Sequence, residues 1–212
     1  MSPDWLEPRE LTGPSLRLTL LGPADAADFL AALGSPAEAA EVLAHLSYPP
    51  PTDLAAARAV VDRLRRLPDA LVYAQRLRSS GELVGVTSFY EMAPAVRALA
   101  VGHTWIARRY WRTGVNSESK LLMLSRAFDE LGAERVVWHT DIRNVRSQEA
   151  IARLGAQREG VLRHHRIRTD GSWRDTVQLA MLAEEWPDAR ARLLARLGGR
   201  EDGAMPEPRA AR

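Results

Sequence analysis

Hydrophobic and polar residues alternate in several short segments of the chain, which is the pattern of strands that bury one face. Leucines at every second position between Ser15 and Leu21 predict a first strand. Two further strands are predicted at 70–77 and 82–92, with a hairpin turn at Ser79-Ser80-Gly81 between them. The segment from Ala98 to Ile106 follows as the third strand of this antiparallel run.

Other segments place hydrophobic residues three and four positions apart, the spacing of an amphipathic helix. Three consecutive prolines, Pro49 to Pro51, interrupt these segments, and Thr52-Asp53 is typical of a helix N-cap. Helices are predicted at 23–33, after Pro36, at 54–67, 118–131, 144–154 and 184–197.

The second half of the chain predicts one buried strand and a second hairpin. The buried strand is the apolar run Arg135 to Thr140, and the hairpin joins 157–167 to 173–182 through Asp170-Gly171. The order of elements predicts an α+β fold with a mixed, mostly antiparallel twisted sheet flanked by helices. Its central strand–helix–strand unit, from about Val101 to Thr140, is the expected parallel element.

A single domain is predicted over residues 1–197. Residues 198–212 are rich in Gly, Pro and charge, without hydrophobic periodicity, and predict a disordered tail. The chain has 212 residues, of which 46% are hydrophobic and 26% charged, so a globular protein is expected. No apolar run is long enough to span a membrane and no secretory signal is recognisable, so the cytoplasm is the expected compartment.

The net charge and the amino-acid composition argue against nucleic-acid binding, disulfides and metal sites. The net charge of +2 gives no argument for nucleic-acid binding. The absence of Cys excludes disulfides, thiolate metal sites and a Cys nucleophile. The five histidines lack the spacing of a zinc site, so no metal is expected. Lys120 is the only lysine among 29 basic residues.

The segment between the strand ending at Ile106 and the next helix contains a turn with Gly114. A glycine-containing turn that opens a helix exposes free N–H groups at the positive end of the helix dipole. Such a turn is a ready site for a phosphate group, although many α/β turns of this kind hold no ligand.

Four motifs occur in a fixed order along the chain. They read Y-W-R-T-G-V-N-S-E-S-K at 110–120, N-V-R-S-Q-E-A-I-A-R-L-G-A at 144–156, R-E-G-V-L-R at 158–163 and D-G-S-W-R-D at 170–175. In these motifs the chain resembles the GNAT superfamily of acyl-CoA-dependent N-acyltransferases, from about Ser15 to Leu197. Within it, the chain resembles the branch of the ribosomal-protein-alanine N-acetyltransferases.

The resemblance implies acetyl-CoA as co-substrate and assigns residues to it. The pyrophosphate would lie on the N–H groups of the turn, with Arg109 and Arg112 as further phosphate contacts or as solvated surface cations. The pantetheine arm would bind the backbone of Trp105, Ile106 and Ala107. The turn residues implied are Thr113, Gly114, Val115, Asn116 and Ser117.

The following motif is expected at the reacting end of the cofactor. Asn144 would contact the pantetheine, cap the next helix, or do both. The resemblance places Ser147 where it would hydrogen-bond the CoA sulfur and protonate the leaving thiolate; an ordinary first-turn serine is the alternative.

The general base is not evident from the sequence. Family members often carry a Glu two residues before the glycine that is Gly102, and this chain has Ala100 there. His103 is a candidate for the base or for holding a catalytic water, against a purely structural role. Weaker candidates are Glu149, Glu159, His139 with Trp138, and one of the alternating pair His164 and His165.

The sequence therefore predicts direct transfer of an acetyl group to a primary amine, foremost a protein or peptide α-amino group. A small-molecule amine or a longer donor such as succinyl-CoA is the alternative within the enzyme class. A non-catalytic acyl-CoA-binding module is the alternative outside it. No membrane partner and no nucleic acid are expected, and a homodimer is left open.

Overall fold

The computed structural model describes residues 4–198. Eight strands form one sheet in the order β1-β2-β3-β4-β5-β6-β8-β7. All neighbouring strands are antiparallel except β5 and β6, which are parallel. The strands are β1 (Leu11–Thr12), β2 (Leu16–Leu20), β3 (Leu71–Leu77), β4 (Leu83–Ala93), β5 (Ala98–Ile106), β6 (Arg135–Asp141), β7 (Gln157–Ile167) and β8 (Trp173–Leu182). The predicted mixed, mostly antiparallel sheet with a central parallel unit is confirmed.

Six α-helices flank this sheet within residues 4–198. They are α1 (Ala26–Ala32), α2 (Pro36–Leu43), α3 (Leu54–Arg65), α4 (Val115–Ser125), α5 (Val145–Ala152) and α6 (Trp186–Gly198). The Asp53 side chain caps α3 as predicted, accepting the Ala56 N–H at 2.8 Å. No helix in this part of the chain is both long and apolar enough to cross a membrane. The predicted tail lies outside the described residues, apart from Gly198 at the end of α6.

The prediction was wrong about the start of the central helix, which begins at Val115 rather than Glu118. Gly114 adopts right-handed helical angles, φ −71° and ψ −17°, and its carbonyl accepts the Glu118 N–H at 2.9 Å. The helix therefore starts directly at the turn. The sequence also gave no signal for β1, or for the insertion of β8 between β6 and β7.

Strands β5 and β6 pair only over their first three residues. The partners are Ala98 with Arg135, Leu99 with Val136 and Ala100 with Val137. Beyond this point β6 pairs only with β8 and β5 only with β4, so the two parallel strands separate. Their separation leaves a cleft in the middle of the sheet.

The two faces of the sheet have separate cores. On one face, called the α4 face, Leu99, Val101 and Trp138 pack with Met123 of α4 and Leu193 of α6. On the opposite face, Phe29, Val61 and Trp105 belong to a second cluster with residues of α1, α2 and α3. Because adjacent strand residues point to opposite faces, the residues next to Leu99, Val101 and Trp138 lie on this second face.

Candidate active site

The cleft between β5 and β6 exposes backbone groups of β5. The Ala107 N–H donates to Val84 of β4 at 2.8 Å, so the backbone of Ala107 is already used in the sheet. Successive residues direct their backbone groups to opposite sides of a strand, so Ile106 faces the cleft. Its carbonyl accepts the indole N–H of Trp111 at 2.7 Å. Of Trp105, Ile106 and Ala107, it is Ile106 whose N–H points to the cleft.

A β-bulge lies in β5 where the strands separate. His103 and Thr104 together stand opposite Thr87, and His103 has φ +49°. Such a bulge bends and twists its strand. Ser88 holds the bulge from the face opposite α4, since its hydroxyl bonds the Gly102 carbonyl at 3.0 Å and lies 2.8 Å from His103 Nδ1.

Lys120 holds the same bulge from the α4 face. Its side chain is buried, and its amine donates to Thr104 at 3.0 Å and to Thr87 at 3.3 Å. The hydroxyls of Thr87 and Thr104 lie 2.8 Å apart. Burial lowers the pKa of Lys120 to about 7, so the amine is substantially uncharged near neutral pH. The sequence did not indicate this role.

The turn before α4 gathers the predicted phosphate-binding residues. Gly114 is the N-cap and provides no side-chain hydrogen bond, so the first N–H groups of α4 lack a helical partner. These are the N–H groups of Val115, Asn116 and Ser117, of which the Val115 N–H donates to the Thr113 hydroxyl at a long 3.4 Å. The Thr113 hydroxyl donates to the Tyr110 carbonyl at 2.6 Å and stiffens the turn. The positive end of α4 thus opens beside the exposed Arg112.

Arg109 is engaged within the protein. Its guanidinium contacts the Glu82 carboxylate at 2.5 and 3.1 Å, and Glu82 also accepts the Tyr110 hydroxyl at 2.8 Å. This arrangement favours a structural role for Arg109. Two other arginines, Arg108 and Arg146, place their guanidinium carbons 4.7 and 3.7 Å from the ring centre of Trp111.

Asn144 and Ser147 lie at the start of α5. Asn144 caps this helix, because its side-chain oxygen accepts the Ser147 N–H at 3.1 Å. Its amide group is not used within residues 4–198, so the cap leaves a donor available. The half-buried Ser147 hydroxyl has no partner in the same part of the chain.

The histidines differ sharply in their surroundings. Burial lowers the pKa of His103 to about 4, which makes it a weak proton acceptor at neutral pH. His139 lies on the face opposite α4, whereas Trp138 is buried in the core of the α4 face. His164 stacks on Trp173 with ring centres 5.2 Å apart, and the exposed His165 has its ring 5.5 Å from that of His139.

The two weaker carboxylate candidates are both paired with arginine. Glu149 is exposed and lies 3.6 Å from Arg153 on the same helix. Glu159 binds the Arg135 guanidinium through both oxygens, which lowers the pKa of Glu159 to about 2. No group of three or more His, Asp or Glu side chains within residues 4–198 is placed to hold a metal ion.

Sequence reasoning missed Tyr90. Tyr90 pairs with Ala100, and its hydroxyl lies 3.1 Å from His139 Nδ1. The only signal in the sequence was the small residue Ala100, which does not indicate which side chain packs beside it.

Comparisons with known proteins find similar sequences and similar structures. Two curated proteins of Bacillus subtilis are similar to the chain. The uncharacterized N-acetyltransferase YoaA is 34% identical over 90 residues, which are 42% of this chain and only 49% of that protein. The putative ribosomal N-acetyltransferase YdaF is 25% identical over 65% of this chain and 74% of its own length.

Solved structures share the fold over most of the chain. A putative acetyltransferase from T. thermophilus has a TM-score of 0.82 and 38% identity, covering 92% of this chain and 100% of that one. Mycobacterium smegmatis RimJ, solved in complex with CoA-disulfide, has a TM-score of 0.71 and 23% identity, covering 90% and 95%. The family model of the GNAT acetyltransferase domain matches residues 15–157. The chain therefore belongs to the GNAT family of acetyltransferases.

Proposed function

We propose that this protein transfers the acetyl group of acetyl-CoA directly to a primary amine, foremost the α-amino group of a protein or peptide. The observation that carries the proposal is a set of unused polar groups on three neighbouring elements: the first N–H groups of α4, the cleft-facing N–H of Ile106 and the unpartnered hydroxyl of Ser147. Arg146 of α5 lies against the ring of Trp111, and the Trp111 indole bonds the Ile106 carbonyl, so the start of α5 lies next to the end of β5. The N–H groups of α4 would bind an anion, and the Ser147 hydroxyl would serve the sulfur.

The CoA pyrophosphate would bind the N–H groups from Gly114 to Ser117, where the dipole of α4 favours negative charge, whereas the Thr113 N–H donates to the Tyr110 carbonyl at 3.4 Å. Arg112 is exposed next to this turn and would add a charge-assisted contact. The pantetheine arm would lie in the cleft as an extra strand, bonded to the backbone of Ile106 and to the free amide of Asn144. RimJ, whose structure contains CoA-disulfide, supports CoA as the ligand of this fold.

The acetyl transfer itself needs few protein groups. The amine nitrogen bonds to the thioester carbon, the carbon–sulfur bond breaks, and the thiolate leaves. Ser147 would donate its hydroxyl proton to the sulfur and regain a proton from water. Backbone N–H groups of β5 at the cleft would stabilise the oxyanion that forms at the carbonyl.

His103 fits this scheme as a holder of the bulge and of a bound water. Its ring lies next to Ser88 and is largely uncharged, because burial lowers its pKa to about 4. An imidazole of this kind accepts a hydrogen bond but takes up a proton poorly at pH 7. Proton removal from the amine therefore needs another group.

An α-amine is the acceptor most compatible with a weak base. Its pKa of about 8 leaves a useful neutral fraction at pH 7, whereas a lysine amine at about 10.4 is almost fully charged. The name of YdaF, a putative ribosomal N-acetyltransferase, supports a protein acceptor.

The test is the release of free thiol from acetyl-CoA in the presence of peptides with free N-termini, lysine peptides with blocked N-termini, and small amines. We expect turnover with acetyl-CoA and fastest reaction with the free N-terminal peptides. Faster turnover of a polyamine or aminoglycoside would indicate a small-molecule acceptor, and faster turnover of succinyl-CoA a longer donor. Tight acetyl-CoA binding without turnover on any amine would indicate a non-catalytic module and overturn the proposal.

A further inference from the structure

Tyr90 reaches across a strand of the sheet. It belongs to β4, and its hydroxyl passes over β5 to lie 3.1 Å from Nδ1 of His139 on β6. His139 is the second residue after Val137, where β5 and β6 make their last pair. The pair Tyr90–His139 therefore lies where the cleft opens, on the face opposite α4.

Two small residues of β5 make room for the Tyr90 ring. Ala100 is paired with Tyr90, and a Cβ atom added at Gly102 would lie 2.6 Å from Cε1 of that ring. Such a distance is too short for two carbon atoms, so a larger residue at 102 would displace Tyr90. The small residues at positions 100 and 102 thus leave the space that the Tyr90 ring occupies.

Hydrogen bonds fix the tautomer of His139. Arg135 holds the carboxylate of Glu159, and Glu159 accepts the Gln178 amide N–H at 2.9 Å. This bond orients Gln178 so that its oxygen faces His139 Nε2, at 3.2 Å. His139 therefore carries its proton on Nε2, and Nδ1 presents a lone pair to the Tyr90 hydroxyl.

Charged groups surround His139 on three sides. Burial lowers its pKa, and Arg166 of β7 and Arg174 of β8 act in the same direction. The Glu91 carboxylate, 3.7 Å from Nδ1, and the hydrogen bond to Gln178 oppose this lowering. His165 of β7, whose own pKa is also lowered, lies next to it. The imidazole is uncharged at neutral pH, while Glu91 is placed to stabilise an added proton.

We infer that Tyr90 and His139 form the proton-accepting pair for the acceptor amine, an inference that rests on the acyltransfer proposed above. As the amine attacks the thioester carbon, its nitrogen gives one proton to the Tyr90 oxygen. The Tyr90 hydroxyl proton moves at the same time to Nδ1 of His139. The resulting imidazolium is stabilised by Glu91 and returns the proton to water through this exposed carboxylate.

The surroundings suit this transfer. Tyr90 is 8% exposed and the side chain of His139 is 9% exposed, so both groups are screened from bulk water. Burial raises the pKa of the Tyr90 hydroxyl, so Tyr90 does not hold a charge and passes the proton on in one step. The imidazole is thus the site where the proton rests.

The test compares Tyr90→Phe and His139→Gln with the wild type, using acetyl-CoA and a short peptide with a free N-terminal alanine. Each variant should lower kcat about a hundredfold, and the double variant should be no worse than either single one. Acetyl-CoA affinity by calorimetry should change less than threefold. Tyr73→Phe is the matched control, because the buried Tyr73 hydroxyl on β3 has no partner within residues 4–198.

The pH profile gives a readout that a structural role would not produce. Burial holds the pKa of His139 below its ordinary value. At pH values below that pKa, log kcat/KM of the wild type should fall with a slope of two, one for the amine and one for His139. In Tyr90→Phe the slope should stay at one. Nitrogen NMR shifts of His139 should show the proton on Nε2 in the wild type.

The outcomes separate the two proposals. Absence of wild-type turnover on every amine would overturn the acyltransfer and this inference with it. Wild-type turnover with a change of less than threefold in Tyr90→Phe would overturn this inference alone. Additive losses in the double variant, or an Nδ1–H tautomer of His139, would also contradict it.

Discussion

The cofactor half of the candidate site is made of backbone groups, whereas the half that faces the acceptor is made of side chains. The N–H groups at the start of α4 and the backbone of Ile106 depend on where the chain turns, and little on which residues are present. The Tyr90–His139 pair depends on the small size of Ala100 and Gly102, which leaves room for the Tyr90 ring, and on the side-chain amide of Gln178, which binds His139. The first half therefore follows from the course of the backbone, and the second half depends on individual side chains.

The largest expected effect concerns the acceptor half. A pKa gap of about 2.4 makes the neutral fraction at pH 7 roughly 250-fold larger for an α-amine than for a lysine amine. We expect kcat/KM to favour a peptide with a free N-terminus over a blocked lysine peptide by up to that factor. Initial rates of the two peptides, measured in parallel at pH 7 and pH 9, give the ratio of their kcat/KM values. This ratio should be smaller at pH 9. A faster lysine reaction at pH 7 would mean that a strong base exists elsewhere.

The second largest effect is expected at Ser147, the residue proposed to contact the CoA sulfur between the cofactor half and the acceptor half. Ser147→Ala should lower kcat about tenfold to a thousandfold while acetyl-CoA affinity changes little, because the hydroxyl acts on the leaving thiolate. Ser125, half-buried at the end of α4 and far from α5 in sequence, offers a matched Ser→Ala control. Steady-state kinetics and calorimetry measure the two quantities separately. An equal loss of binding and turnover would point to a structural serine.

The third effect tests the backbone half alone. Gly114→Val should weaken acetyl-CoA binding about tenfold or more, because a branched side chain at the N-cap would crowd the phosphate. The angles of Gly114 are open to any residue, so the fold should persist. Calorimetry with acetyl-CoA, and circular dichroism as a check of folding, give the answer. Unchanged affinity in a folded variant would place the phosphates elsewhere.

The smallest expected effect is on stability. It concerns Lys120, whose amine holds the bulge of β5 through Thr87 and Thr104. Burial lowers the pKa of Lys120 to about 7, against about 10.4 in an unfolded chain. Between these values the unfolded state binds more protons, so the free energy of unfolding should rise with pH, by about 1.4 kcal/mol per pH unit at most. No other lysine contributes, because Lys120 is the only one.

Denaturant unfolding between pH 7.5 and 9 measures this rise. In Lys120→Met the rise should disappear, since the variant has no titrating amine at this position. An equal rise in the free energy of unfolding of Lys120→Met would show that folding does not change the pKa of the Lys120 amine.

The sequence predictions were accurate where the signal is local along the chain and failed where the structure depends on distant residues. The bounds of β5, β7 and β8 were predicted to the residue, because alternation and turn residues are local signals. The start of α4 was wrong by three residues, since the N-cap Gly114 takes helical angles that the hydrophobic pattern does not record. The insertion of β8 beside β6 is a tertiary choice with no local signal.

The site divides in the same way. The turn at 112–117 was recognisable because a glycine turn before a helix has one physical consequence, a set of free N–H groups. Tyr90 and His139 are 49 positions apart and meet across a third strand, so only the folded sheet brings them together. The buried amine of Lys120 was likewise hidden, because a lysine on a helix is ordinarily exposed.

The most direct measurement of the central claim is a crystal structure of the protein with acetyl-CoA. We expect the pyrophosphate on the N–H groups of Val115, Asn116 and Ser117, the pantetheine between β5 and β6, and the sulfur within hydrogen-bonding distance of the Ser147 hydroxyl. An acetyl-CoA molecule bound outside the cleft, or inside it with the sulfur away from Ser147, would contradict the proposed site.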